Sequence, residues 1–304
     1  MNINLELYRV FYVVAKIGNI TKASQELMIS QPAISKSIKN LEEQLGAQLF
    51  VRTKRGVILT SEGEIFYSDI KYIMEHIQNS ERKFMDVINL ESGSIKIGMS
   101  NSFRLLKNFL LPYLKEFNKQ HPKINIQIIE EYTNETIQKL KDGLLDIAIL
   151  KLPYNTRKDI NIVKSKRIQD CFSVNNSYKE LLTEKITLKD ISNYPLIGLV
   201  KPADSSGYYL EKLTKENNVE LKPNIESNNF DSLVELTKAG LGIGYTIKEY
   251  IEDEIKNKEL FVLNVEPKIP KRYICVATAK NQRLSFTTKK LIEIITKQEK
   301  MRGK

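Results

Sequence analysis

The sequence predicts an α/β protein of two parts joined by a long helix, and three observations carry that prediction. Residues 5–59 run through short apolar stripes at helical spacing, and residues 61–90 continue at that spacing over a much longer stretch. Beyond Glu91-Ser92-Gly93-Ser94 the pattern becomes strand followed by helix, repeatedly. Such alternation implies a parallel sheet covered by helices. A chain of 304 residues has room for about two domains at ~150 residues each. Its composition, 41% hydrophobic and 28% charged, is that of a globular protein and excludes a disordered tail.

The first elements form a helix-turn-helix. On a helix over 31–45, turned by ~100° per residue, Ile34, Ile38, Leu41 and Leu45 fall in one narrow stripe, while Pro32, Ser35, Lys36 and Lys39 project opposite. Ser30 is the N-cap, and Pro32 sits in the first turn, where its missing N–H is harmless. Upstream, Thr21 to Met28 makes a shorter helix with Ala23 and Leu27 turned inward. In such a unit the start of the second helix enters the major groove. Gln31 and Ser35 are then the candidates for base edges, because Gln pairs bidentately with adenine, and Lys36 and Lys39 reach phosphate or guanine. The turn Lys54-Arg55-Gly56 between β-prone Val51 and Val57-Ile58-Leu59 makes a basic wing against the neighbouring minor groove. Thr21, Pro32 and Arg52 complete the candidate DNA contacts. A surface helix with solvated lysines fits the 31–45 pattern equally, and periodicity alone favours it.

The long helix starts at Thr60, an N-cap followed by Glu62 and Glu64 at the positive helix end. Phe66, Ile70, Ile73, Ile77, Phe84 and Val87 follow the spacing of a heptad seam interrupted at Ser80. A seam needs a partner, either a second copy or the chain's own core.

In the back part, strands at 95–99, 124–130 and 146–150 alternate with helices at 103–120 and 133–142. A second set follows, with strands at 171–174, 195–200 and 243–245 and helices at 208–217 and 231–239. Ligands of parallel α/β sheets collect where strands end. At those ends stand Ser100, Asn101 and Ser102, then Lys151, then Lys201 and Ser205, then Thr246, with Thr133 at a helix start. Hydroxyls, amides and two lysines suit a small anionic ligand. Taken singly, Ser100 and Ser102 fit helix caps as well, and the lysines fit solvent. Tyr132, Asn229 and Phe230 are further lining candidates, and Asp146 fits loop stabilisation better than ligand contact.

Lys and Arg exceed Asp and Glu by 47 to 37, a net +10 that favours polyanion partners. Cys171 and Cys275 stand alone, which suggests neither a disulfide framework nor a zinc knuckle and points to a reducing compartment. No apolar run approaches the ~20 residues of a membrane span. Gly98-Met99-Ser100-Asn101-Ser102 lacks the last glycine of a nucleophile elbow. Gly240, Gly242 and Gly244 follow a helix rather than opening one after a strand, so they fail the dinucleotide context. The expectation is a cytoplasmic protein that is no enzyme and carries no cofactor or metal.

The stretches Phe11-Tyr12-Val13-Val14-Ala15, Gly18-Asn19-Ile20-Thr21, Ser30-Gln31-Pro32-Ala33-Ile34-Ser35, Leu41-Glu42, Leu45-Gly46 and Leu49-Phe50, with Ala23, Leu27, Ile38 and Arg52, closely resemble the winged helix of LysR-type transcriptional regulators. Ser24 stands where that family usually has a second alanine. Gly143-Leu144-Leu145-Asp146-Ile147-Ala148-Ile149, Asp190-Ile191, Pro195-Leu196-Ile197 and Gly240-Leu241-Gly242-Ile243-Gly244 more loosely resemble its effector domain, which is two-lobed and similar to periplasmic binding proteins. The resemblance implies a DNA-binding domain over 1–60, a linker and dimerisation helix over 61–90, and an effector-binding domain over 91–304. Within the last, lobe 1 takes about 91–164 and 266–304 and lobe 2 about 165–265. It further implies double-stranded promoter DNA, a small-molecule effector and RNA polymerase as partners, and a homodimer or tetramer. Ser100 and Ser102 inherit the effector role, and Lys151 takes a position where some members carry an anion-binding basic residue. Ile247 replaces a common proline, which puts Thr246 as a ligand contact in doubt. The opposing class is a solute-binding protein, which shares the two lobes but is exported and has no winged helix.

Overall fold

Asn4 opens α1 (Leu5–Ile17) by accepting from the Glu6 N–H at 2.9 Å, and Gly18 closes it in the left-handed conformation. The same local logic sets the next two helices. Asn19 caps α2 (Ile20–Leu27) through the Lys22 N–H, so this helix begins one residue before the expected Thr21 and ends with Met28 left-handed. Ser30 caps α3 (Gln31–Leu45) through the Ala33 N–H. A hairpin of β1 (Phe50–Thr53) and β2 (Gly56–Leu59) follows, then α4 (Ser61–Ile88), started by the Thr60 hydroxyl accepting from Gly63 at 2.9 Å. The computed structural model describes residues 4–54, 56–88, 93–100, 102–152, 160–182, 185–200, 206–280 and 283–297. Arg55, Asn101, Lys201 and Ser205 lie outside the described residues.

The chain divides into two units, Met1–Glu81 and Arg82–Lys304. In the first, Phe11 is fully buried and its ring lies 5.4 Å from Phe50 and 5.1 Å from Phe66, so one side chain joins α1 to the wing and to α4. Ile34, Ile38 and Leu41 of α3 bury in the same core, as do Ile70 and Met74 of α4. The expected seam on α4 therefore divides. Phe66, Ile70 and Ile77 pack on this core, whereas Ile73 and Phe84 are exposed. The side chain of Val87 lies outside the description.

The second unit is built on one nine-stranded sheet, beside a separate two-stranded one. Its elements are β3 (Ser94–Met99), α5 (Phe103–Leu105), a π-helical turn at Leu106–Leu110, α6 (Leu111–Gln120), β4 (Asn125–Glu130), α7 (Thr133–Lys141), β5 (Ile147–Leu152) and β6 (Ile160–Val174). After a 3-10 segment at Asn176–Leu182 come β7 (Ile186–Thr187), α8 (Leu188–Ile191), β8 (Leu196–Leu199), α9 (Ser206–Glu216), β9 (Ile225–Ser227), α10 (Phe230–Lys238) and β10 (Ile243–Ile247). A 3-10 turn at Lys248–Tyr250, α11 (Glu252–Lys256), β11 (Phe261–Val262), β12 (Val265–Glu266), β13 (Lys271–Ala279) and α12 (Phe286–Lys297) complete it.

The strand order is β4-β3-β5-β13-β6-β10-β8-β9, with β11 beside β6. The outer strands on each side run parallel, as expected, but β13 and β6 are antiparallel to their neighbours. The all-parallel expectation is thus corrected: two long strands cross between the lobes. β6 pairs with β13 as far as Gln169 and with β10 from Asp170 onward. The first lobe packs Ile95, Ile97 and Met99 of β3 against Phe109, Leu114 and Phe117, with Leu291 and Ile295 of α12. The second packs Phe172 and Tyr245 with Leu196, Leu210 and Leu213.

Candidate nucleic-acid interface and ligand site

The polar side of α3 is open to solvent. Gln31, Pro32, Lys36 and Lys39 are exposed and Ser35 is half-buried, while Ile34 and Leu41 opposite are fully buried. Thr21 is exposed on α2. Lys39 has one partner on its own helix, Glu43 at 3.6 Å, a solvated pair that leaves the ammonium available. On the wing, Arg52 stands opposite Val57, and both Arg52 and Lys54 are exposed.

The wing's direction is fixed by contacts that the sequence alone does not display. The Glu42 carboxylate, on α3, accepts from the backbone N–H groups of Leu49 and Phe50 at 2.8 and 3.2 Å. The Thr60 hydroxyl donates to the Gln48 carbonyl at 2.7 Å. Val57 N–H donates to the Gly18 carbonyl at 2.9 Å, and Gly56 lies so close to that carbonyl that a Cβ there would collide with it; its φ of +139° also favours glycine. Helix α3 and the wing are therefore oriented by one carboxylate, one hydroxyl and one backbone contact. Glu42 stood in a matched motif, but nothing local signals its partners seven and eight positions on.

In the second unit, Ser100 follows β3 and is half-buried, with its hydroxyl 3.5 Å from that of Thr133, the buried first residue of α7. Lys151 is buried on β5, opposite Ile274 of β13. These three stand at the C-terminal ends of neighbouring strands. Ser102 is buried and caps α5 by accepting from the Leu105 N–H at 3.2 Å. Thr246 has no exposed surface, and its hydroxyl lies 3.0 Å from that of Ser173 and donates to the Cys171 carbonyl at 3.4 Å. The packing of β10 on β6 encloses Thr246. Asp146 holds structure, accepting from the Lys96 N–H at 2.8 Å. Gly244 is explained by packing too, since a Cβ there would collide with the Thr237 hydroxyl.

A charged group at the lobe junction went unnoticed in the sequence. Arg272 of β13 is buried and makes a two-nitrogen ion pair with buried Asp170 of β6, while its Nη2 donates to Ser206 at the start of α9 at 3.0 Å. The Tyr209 ring lies 4.1 Å from the guanidinium. Burial alone would disfavour the cation, but the charge and hydrogen bonds of Asp170 outweigh it and hold Arg272 above its ordinary value. Its partners lie 102 and 66 residues away, so no sequence window shows them together.

Among the described residues no group of His, Cys, Asp and Glu is placed to hold a metal ion, and no helix is long and apolar enough to cross a membrane.

Comparison with known proteins agrees with this division. A family model described as bacterial regulatory helix-turn-helix protein, lysR family, matches residues 5–64, and one described as LysR substrate binding domain matches residues 89–300. A probable RuBisCO transcriptional regulator of Thalassiosira pseudonana is 28% identical over 277 residues, 86% of this chain and 87% of that protein. The HTH-type transcriptional activator CmpR of Synechocystis is 24% identical over 97% of this chain and 95% of its own length. The solved structure of full-length CbnR with its target DNA shares the fold at a TM-score of 0.70 and 19% identity, covering 97% of this chain and 99% of that one.

Proposed function

The chain belongs to the LysR family of transcriptional regulators, and from that premise we propose how its residues divide the work. The start of α3 lies in the major groove of promoter DNA, with Gln31 and Ser35 at base edges and Pro32 and Thr21 against the backbone beside them. Lys36, Lys39, Arg52, Lys54 and Arg55 neutralise phosphates there and beside the wing. The single observation that carries this reading is the division of α3 into a fully buried apolar side and an exposed side bearing Gln31, Lys36 and Lys39.

Ser100, Thr133 and Lys151 hold a small anionic effector, with Asn101, Lys201 and Ser205 completing the site. Ser102 acts as the cap that shapes the turn. The protein works as a homodimer or tetramer in the cytoplasm, and RNA polymerase is the downstream partner. Support for self-association comes from Ile65, Tyr72 and Ile73, large apolar side chains exposed on α4. An effector shifts DNA binding only as far as it prefers one arrangement of the protein over another.

The test is footprinting on DNA flanking the gene, with and without candidate carboxylates. A protected stretch that Ser100→Ala leaves intact, while blunting the change caused by the effector, is the expected result. No protection on any flanking promoter overturns the DNA assignment, and an undiminished response in Ser100→Ala removes that residue from the effector site.

A further inference from the structure

Neither the DNA contacts nor the effector residues account for a second polar assembly, which ties the first lobe to the second. Arg104, on α5, reaches Glu254 of α11 at 2.7 Å and Asp231 and Glu235 of α10 at 3.1 and 3.7 Å. Its guanidinium also donates to the Tyr250 carbonyl at 2.9 Å. The Phe103 N–H donates to the Asp231 carboxylate at 2.9 Å. One turn further on, Lys107 pairs with Asp253, and the Asn108 amide donates to the Glu249 carbonyl at 3.1 Å. Every one of these acceptors belongs to the second lobe, and every donor to the helix that follows Ser100 and Ser102. Beneath the charges, Leu105 and Phe109 share a buried apolar cluster with Phe230, Val234, Tyr250 and Ile251.

Two facts make this more than a surface contact. The Arg104 and Glu254 side chains are 14% and 9% exposed, so loss of one leaves the other charge poorly hydrated. The helix that carries Arg104 begins at the cap made by Ser102, whose hydroxyl accepts from Leu105, so a shift of the turn is passed directly to Phe103 and Arg104. We propose that Arg104 is the positioning residue that couples the Ser100 and Ser102 turn to α10 and α11, so that ligand capture by this turn sets the separation of the lobes. The proposal rests on the effector site assigned above, and it names the contacts through which such a site would act at a distance.

The experiment uses full-length protein with spin labels on Lys119→Cys of α6 and Lys212→Cys of α9, both exposed positions, diluted with unlabelled chain. The native thiols, Cys171 and Cys275, are buried and do not compete for label. Pulsed electron resonance on the parent gives one narrow lobe-to-lobe distance. Arg104→Met broadens it and moves it outward by on the order of a few ångströms, as a released hinge does. Arg104→Lys restores part of the parent distance, since it keeps the charge without the fork. Ser102→Gly shifts the distance in the parent but not in the Arg104→Met background, which is the signature of coupling.

An unchanged distance in Arg104→Met overturns the proposal, as does a Ser102→Gly shift of equal size in both backgrounds. Should Arg104→Met fail to fold, Glu254→Gln takes its place under the same criteria. No effector is used, so failure here leaves the Ser100 assignment standing, and failure of that assignment is read separately in the footprint response.

Discussion

Arg82 and Asp146 form a partly buried ion pair at 2.9 Å within the second unit, the guanidinium 15% and the carboxylate 3% exposed. Arg82 also donates to the Ser94 carbonyl at 2.8 Å, and Asp146 accepts from the Lys96 N–H, so the pair ties the end of α4 to both β3 and β5. Breaking a buried pair from one side leaves an uncompensated charge. Asp146→Ala is expected to cost the second unit about 3 kcal/mol, an order-of-magnitude figure for such a loss. Urea unfolding followed by circular dichroism checks it, and a change below about 1 kcal/mol would mean that solvent already screens the pair.

Much of the first unit was legible because its determinants are local. Ser30, Gly46 and the Ile34-Ile38-Leu41 stripe lie within one helix and its caps. The crossing strand β6 was half missed for the opposite reason. Its first half carries Lys164, Lys166 and Arg167, a polar run with no strand signature, and its partner β13 lies about a hundred residues on. The π-helical turn has a local signal: Pro112 has no N–H to continue the ladder, and the turn ends two residues before it. On α4 a 3.5-residue seam was expected, but Phe66, Ile70, Met74 and Ile77 follow the 3.6-residue period onto the unit's own core and leave Ile73 outside. For the sites, residue types at strand ends were readable, whereas Glu42, Arg104 and Arg272 act through partners in other elements.

Glu42 offers a test of how far the wing depends on α3. Glu42→Gln keeps the size of the side chain but weakens its two charge-assisted hydrogen bonds to Leu49 and Phe50. Stability is expected to fall by about 1–2 kcal/mol, and operator affinity to fall with α3 itself intact. Footprinting should show weaker protection at the wing's minor-groove contacts than at the major-groove core. Uniform weakening across the footprint would place the effect in α3 instead.

Gln31 and Lys39 separate sequence reading from electrostatics. Gln31→Ala should relax preference at one base pair by about 1–3 kcal/mol. Lys39→Ala should weaken every site alike and reduce the slope of log affinity against log salt by roughly one unit, because one phosphate contact is removed. Titrations against an operator and a single-substituted operator at several salt concentrations check both. Equal loss of specificity from the two variants would reject the sorting of contacts on α3.

Cys171 makes the last prediction, on alkaline stability. Burial raises its thiol from an ordinary value of 9.0 to about 12, against a smaller opposing effect of the Thr246 hydroxyl. A group whose folded value is raised lends stability that is complete below the unfolded value and is lost as pH climbs toward the folded one. Between pH 9 and 12 the unfolded chain releases a proton that the folded chain keeps, so each pH unit there costs about 1.4 kcal/mol once the unfolded thiol is ionised. Tyr245 and Tyr250, raised above 10.0 chiefly by burial, add in the same direction at higher pH. Equilibrium unfolding between pH 8 and 10 should therefore show stability falling from about pH 9, with a shallower fall in Cys171→Ala. Equal slopes in the two proteins would show that the thiol does not govern this limb. The same burial predicts that a thiol reagent at pH 8 labels Cys171 only after unfolding.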